Sequence, residues 1–463
     1  MKKKKHNSTQ MKQIESGLPD NSQVKSDKIS ENQSDHHNQH SIPSNWKWVK
    51  LGDVSEPPQY GYTTSASNEG DLKFLRTTDI TSGVIDWDTV PFCKVNPKDI
   101  DKYILKDNDI VISRAGSIGY SILISKPPKA VFASYLIRFR PKTNPKFFAL
   151  FLQSPNYWNQ ISEKKLGIAI PNVNATKLKD IYLPLPPLSE QKKIVEKIEE
   201  LFSQLDSGVS ALKKAKEQIR LYRQSVLASA FSGKLVREAG SKQKAVVKTE
   251  MLNEAEPKAE YKNNKLPDGW KWVKVSNVGE VVTGTTPPKN NSDYYGTSFP
   301  LYKPTDLNFG INTRDALDNL SELGATVARL LPEKSVMVTC IGATIGKTGM
   351  NRRVGATNQQ INSIIINDKF IPEFVYYFCI SEFFQKQIKK YSSSTTLPIL
   401  NKSKFESLPF IEAPKDQQLQ IVEEIEKRFS EADNLEKAID ESLAKAESLR
   451  QSILKQALEG KLV

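Results

Sequence analysis

The chain has 463 residues, enough for two or three domains with a core each. With 38% hydrophobic and 9% aromatic residues it reads as an ordinary soluble composition, and no apolar run approaches the roughly 18–20 residues a membrane span needs. The formal net charge of +13 suits a polyanionic partner, and all four histidines (His6, His36, His37 and His40) lie before residue 41, which excludes histidine-based catalysis or metal binding in the rest.

Residues 1–41 are Lys, Ser, Asn, Gln, Asp and His with almost no apolar content, so a disordered polar tail is expected. The Lys2 to Lys5 run has no apolar segment after it and does not read as a secretory signal, so a cytoplasmic location is expected. Cys93, Cys340 and Cys379 lie far apart without CxxC spacing, and neither a disulfide framework nor a zinc site is expected.

The first globular segment, 42–188, opens on Trp46-Lys47-Trp48-Val49-Lys50, and the second, 265–414, on Trp270-Lys271-Trp272-Val273-Lys274. Both alternate as strands, with tryptophans on one face suited to core packing or, less simply, to base stacking. The segments carry 19 basic against 13 acidic and 17 against 13 residues, respectively. Further matches recur at an offset of 227: Thr78-Asp79 with Thr305-Asp306, Pro171 with Pro398, Asn174 with Asn401. The glycine turns at 116–119 and 342–346 also correspond. Helical spacing of apolar residues marks 147–162 and 372–390.

The strongest repeat is 189–236 against 416–463, where nineteen of the forty-six positions from Gln191 onward are identical. Each copy follows a proline-containing lead-in, with Ser189 and Asp416 expected as N-caps and Gly233 and Gly460 as stops. Ile198, Leu205, Leu212, Ile219 and Val226 fall seven apart. So do Ile425, Ala432, Ile439, Ala446 and Ile453, with Ile194, Leu201 and Tyr222 on the neighbouring row of the first copy and Leu435 and Leu449 joining the second. A heptad sustained this long predicts a coiled-coil seam. The polar linker 237–264 spans about 30 Å if flexible. That favours antiparallel pairing of the two helices, although a stretched linker also permits a parallel one. The second helix region, 415–463, carries 8 basic and 11 acidic residues and so suits protein better than DNA.

Catalytic motifs are not evident. The run Gly342-Ala343-Thr344-Ile345-Gly346-Lys347-Thr348 has three residues between its glycines where a phosphate-binding loop has four, and reads as a turn between strands. Asp107/Asp109 and Asp86/Asp88 read as solvated loops. Candidate DNA-contacting residues are Arg76, Arg114, Arg138 and Arg140 in the first half. In the second they are Lys303, Arg314, Lys347, Arg352, Arg353, Asn358, Gln359 and Gln360. Arginine pairs with guanine and Asn or Gln with adenine in the major groove, while other basic residues meet phosphates.

Two basic domains, each ending in a proline lead-in, a long helix and Gly-Lys-Leu-Val, resemble the specificity subunit of type I restriction–modification enzymes. The first copy carries Leu183-Pro184-Leu185-Pro186-Pro187-Leu188-Ser189-Glu190-Gln191; the second departs from it, with Ile411-Glu412-Ala413-Pro414-Lys415-Asp416-Gln417-Gln418. The resemblance covers 42–463. It implies an α+β fold of two globular α/β target recognition domains joined by two long antiparallel coiled-coil helices with an internal pseudo-twofold repeat. The chain itself would be non-catalytic. Double-stranded DNA would be read in two halves, and the helices would set the spacing and dock two methyltransferase subunits, with restriction subunits joining through them. S-adenosylmethionine, ATP and Mg would reside on those partners. The rival expectation is a stand-alone coiled-coil DNA-binding scaffold or regulator.

Overall fold

The structure is a computed structural model that describes residues 42–94, 97–165, 172–235, 266–393 and 397–463. The tail at 1–41, the linker at 237–264, Pro171 and Val236 lie outside the described residues. The chain divides into two compact units. One comprises the residues up to Lys197 together with Leu454–Val463, the other Ile198–Ile453.

In the first unit the chain runs β1 (Lys47–Lys50), β2 (Gln59–Tyr60), β3 (Leu72–Leu75), β4 (Phe92–Cys93), β5 (Ile110–Ser113), β6 (Ser121–Leu123), β7 (Ala130–Phe132) and β8 (Leu136–Phe139). Helices α1 (Pro145–Phe151), α2 (Pro155–Lys165) and α3 (Ala175–Lys179) and strand β9 (Tyr182–Leu185) follow, and the long helix α4 (Leu188–Phe231) starts here, its residues from Ile198 on belonging to the second unit. Three small sheets form, ordered β1-β9, β2-β8-β5-β6 and β4-β3-β7, with only β3 and β7 parallel. Strands β5, β7 and β8 are buried throughout, which accounts for their mainly apolar content, broken only by Ser113 and Arg138.

The second unit repeats this plan. It contains β10 (Lys271–Lys274), α5 (Val275–Val278), β11 (Gly279–Thr283), β12 (Tyr295–Tyr302), β13 (Asn319–Leu320), α6 (Glu322–Val327), β14 (Leu330–Leu331), β15 (Val336–Thr339), β16 (Thr348–Met350), β17 (Gly355–Thr357) and β18 (Ile361–Ile366). Then come α7 (Pro372–Ile380), α8 (Glu382–Tyr391), α9 (Lys402–Glu406), β19 (Pro409–Glu412) and the second long helix α10 (Lys415–Leu458). The sheet orders β10-β19, β11-β18-β15-β16 and β13-β12-β17-β14 match those of the first unit, with β14 added at one edge. The parallel pair is again the equivalent one, β12 with β17.

Several repeated residues gain a structural reason. Asn174 and Asn401 cap α3 and α9, accepting from Lys177 N and Lys404 N. Asp79 and Asp306 accept the backbone N–H of Arg76 and of Lys303, each at 2.8 Å, and so close the same short 3-10 turn. The glycine run at 342–346 is a turn between β15 and β16. The apolar patches at 147–162 and 372–390 are each a pair of helices rather than one.

The starts of the long helices correct the expected caps. Gln191 N donates to Pro187 O and Gln418 N to Pro414 O, so each helix opens at the last proline of its lead-in, and Ser189 and Asp416 already lie inside the first turn. The repeated glutamine does the stapling instead. Gln191 is buried; its Oε1 accepts from Asn144 N and Thr143 Oγ1, and its Nε2 donates to Pro186 O. Gln418 accepts from Ile371 N and donates to Ala413 O and Lys369 O. The opening tryptophans lie over the same turns, Trp46 Nε1 donating to Glu190 and Trp270 Nε1 to Gln417. Both are buried just before their strands, as core packing requires, whereas Trp272 is 41% exposed and lies 5.3 Å from the Phe383 ring.

Within the second unit the two long helices run antiparallel. Lys216 pairs with Asp440 at 2.7 Å, Arg223 with Asp433 at 2.6 Å and Arg450 with Asp206, so positions rise on one helix as they fall on the other. Arg223 and Arg450 are equivalent residues of the repeat, as are Asp433 and Asp206. Arg223 also lies over Phe429 at 5.3 Å and Arg450 over the equivalent Phe202 at 4.2 Å. The same interaction made twice with roles exchanged is the signature of a pseudo-twofold axis between the helices. The heptad positions Ile198, Val226, Ile425, Ala432 and Ile453 are buried, and Leu205, Leu212, Ile219, Ile439 and Ala446 are half-buried. Leu435 and Leu449, assigned to the neighbouring row, instead face outward at 59% and 51% exposure, with Tyr222 exposed too. Of the same row Ile194 is buried and Leu201 half-buried; a two-helix seam shields only a narrow stripe, so Tyr222, Leu435 and Leu449 one step round stay in solvent.

Helix α4 ends inside the core of the second unit, where Phe231 meets Phe374 and Phe378 at 5.3 and 5.0 Å. Gly233 stops it at φ +76°, and a Cβ there would lie 2.1 Å from Pro267 Cγ. In the first unit Gly460, at φ +70°, meets Pro43 in the same way, a Cβ falling 2.3 Å from its Cγ.

Candidate nucleic-acid interface

In each unit one end of the sheets gathers the loops that carry polar side chains. Strands β3 and β7 are parallel, so both end on the same side, and Ala133 N donates to Leu75 O there. The β5–β6 turn reaches the same place, because Arg114 N donates to Tyr135 O. So does the segment after β2, where Gly61 N donates to Leu136 O. Val173 N donates to Arg114 O and Ala175 N to Tyr60 Oη, which adds the entry to α3. The second unit has the same frame: Asn358 N to Tyr302 O, Cys340 N to Gln360 O, Gly284 N to Ile361 O and Leu400 N to Cys340 O. Gly61 and Gly284 permit the closest approach, since a Cβ would sit 2.1 Å from Ala133 O and 2.2 Å from Asn358 O.

This frame sorts the sequence-derived candidates. At the loop end lie Arg76, Arg114, Lys303, Lys347, Asn358, Gln359 and Gln360. Arg76 is 40% exposed at its side chain and held by Asp79 at 2.7 Å, which raises its already high pKa mainly through that hydrogen bond. Lys303 pairs with Asp318. Lys347 has no ion-pair partner among the described residues. The Arg114 guanidinium lies 5.3 Å from the Tyr60 ring centre, and its buried Nε has no hydrogen-bond partner.

At the opposite ends of the strands lie Arg138, Arg140, Arg314, Arg352 and Arg353. Strand β5 runs from Ile110, opposite Phe139, to Ser113, opposite Leu136, so Arg140 stands about 13 Å down the sheet from the loop end. Arg138 is buried and donates to Lys102 O and Ile104 O, and Arg140 binds Asp109 at 2.7 Å. Burial lowers the Arg138 pKa, with the Asp109 charge opposing that shift. Arg138 is thus engaged in the interior, and Asp109, expected as a loop carboxylate, is the buried acid that binds this pair. Arg352 donates to Ile311 O and Arg353 to Ser298 O, near exposed Arg314. Asn358 is buried, with its amide turned onto its own turn.

Two exposed aromatics at the loop end escaped the sequence reading, Tyr120 and Tyr135. Tyr135 occupies the place of Gln360, since Arg114 N and Cys340 N donate to their carbonyls, but the two lie 225 apart. The repeat read at 227 missed the match because unequal loops shift the frame.

A protein-family model described as the type I restriction modification DNA specificity domain matches residues 43–219 and again 267–445. The chain belongs to that family. Among its relatives, the EcoBI specificity subunit of the type I restriction enzyme from Escherichia coli is 28% identical over 376 residues, covering 78% of this chain and 75% of the relative. The HindI specificity subunit from Haemophilus influenzae is 26% identical, covering 81% and 91%. A solved chain from a study of complex assembly and conformational transition of the type I R-M system shares the fold at TM-score 0.68 and 20% identity, covering 91% of this chain and all of that one. The HsdS subunit of Thermoanaerobacter tengcongensis gives TM-score 0.53 at 18% identity, covering 92% and 99%. Both family matches run past the globular segments into the long helices, so the family unit is a domain plus part of its helix. Among the described residues no helix is long and apolar enough to cross a membrane, and none of their His, Cys, Asp and Glu groups could hold a metal ion.

Proposed function

We propose that this chain is the sequence-specificity subunit of a type I restriction–modification complex, each globular domain reading one half of a bipartite DNA target. The observation that carries this reading is the paired family match, 43–219 and 267–445, on two units with the same strand order. A doubled reader carried on paired antiparallel helices suits a target of two half-sites at a fixed separation, because a rigid spacer turns separation into geometry. The paired helices are that spacer and dock two methyltransferase subunits, through which restriction subunits join. Exposed apolar side chains on the helices, among them Leu221, Tyr222, Leu419, Leu435 and Leu449, are available to such partners. S-adenosylmethionine, ATP and Mg belong to the partner subunits, and the assembly works in the cytoplasm on double-stranded DNA.

The test is the host's pattern of methylated DNA. Deleting the gene should remove one bipartite adenine-methylated motif, and exchanging residues 42–188 for the same segment of another family member should change one half of that motif only. Change in both halves would refute separate reading. No lost motif would favour a stand-alone scaffold.

A further inference from the structure

The turn joining β17 to β18 has the same backbone frame as the turn joining β7 to β8, yet the two present different chemistry. At the β7–β8 turn lie Ser134 and Tyr135, at the β17–β18 turn Gln359 and Gln360. In each case the turn is tied to the neighbouring parallel strand, to the loop after β5 or β15, and to the close-approaching glycine. A frame held constant with its outward side chains exchanged is what a reading position requires.

The two amides are also oriented, unlike ordinary surface glutamines. Thr286 Oγ1 donates to Gln359 Oε1 at 2.7 Å, and Asn358 Nδ2 donates to Gln360 Oε1 at 2.9 Å. Buried Asn358 also accepts Gln360 N, at 3.2 Å, so the support of Gln360 is itself fixed. With the hydroxyl of Thr286 on its oxygen, the Gln359 amide has its Nε2 hydrogens free to donate, and Oε1 keeps a second lone pair. One acceptor beside one donor in a plane is the complement of the adenine major-groove edge, N6–H and N7. The Ser134–Tyr135 turn offers no such pair.

We propose that Gln359 reads an adenine in the half-site of the second domain, with Thr286 as its positioning residue. This rests on the proposed reading of a bipartite target. The test uses the full-length chain assembled with its modification subunits and duplexes of the host's methylated motif in which each adenine in turn is replaced by 7-deazaadenine, which lacks N7. Loss of the N7 hydrogen bond of a bidentate contact is expected to weaken wild-type binding roughly 10-fold at one adenine of one half-site. Gln359→Ala should bind the parent duplex about that much more weakly and be indifferent to the replacement, with the other half-site read normally. Thr286→Val should show a smaller loss at the same adenine, and Thr286→Ser should restore it. Equal sensitivity of wild type and Gln359→Ala at every adenine overturns the proposal, as does a Gln359→Ala chain that loses both half-sites together. If the wild-type assembly prefers no bipartite duplex at all, it is the underlying functional reading that fails.

Discussion

Gln191 and Gln418 show how much one side chain can decide. Each is buried and joins a lead-in carbonyl to the backbone N–H that opens the first helix after the sheets. Replacing Gln418 by Leu keeps the volume but strands Ile371 N, Ala413 O and Lys369 O. With ~1–3 kcal/mol for a buried group left unpaired, a loss of about 3 kcal/mol is expected, read as a lower denaturant midpoint at unchanged slope. The identity of these glutamines was visible in the sequence. Their task was not, because hydrogen-bond partners 47 and 49 residues away leave no periodicity to read. The same limit applies to Arg138. An arginine beside another basic residue looks like a DNA contact in sequence, and only the fold puts Asp109 beside it.

At the scale of elements, the heptads made the long helices legible, since a period of seven is a local property of the chain. The structure adds direction. Arg223 with Asp433 and Arg450 with Asp206 are possible together only if the helices oppose one another. The aspartates of these pairs are solvent-accessible, so a double-mutant cycle on Arg223→Met and Asp433→Asn should give a coupling of no more than about 1 kcal/mol. They fix register more than they add stability. The seam supplies the larger share: Leu212→Asp places a charge against the partner helix and should cost about 2 kcal/mol, seen as a lower melting temperature of the full chain. Methylation surviving that substitution unchanged would remove the helices from the docking role.

For the whole molecule, the sequence determined that there are two copies of one plan, a basic domain followed by a long helix with a glycine stop. Those are patterns of composition, period and identity, and they survive without coordinates. The fold and the family followed from them, and so did most of the seam. Tertiary structure alone decided which polar residues share a surface. Of the twelve candidate DNA contacts, seven stand at the loop ends and five at the far ends of the strands. A strand carries its two ends apart, and closeness in sequence gives no sign of which end a side chain serves. It also decided where the repeat holds at 227 and where it slips to 225, since hydrogen bonds between strands, not chain numbering, set which residues are equivalent. Tyr135 and Gln360 became counterparts only on that ground.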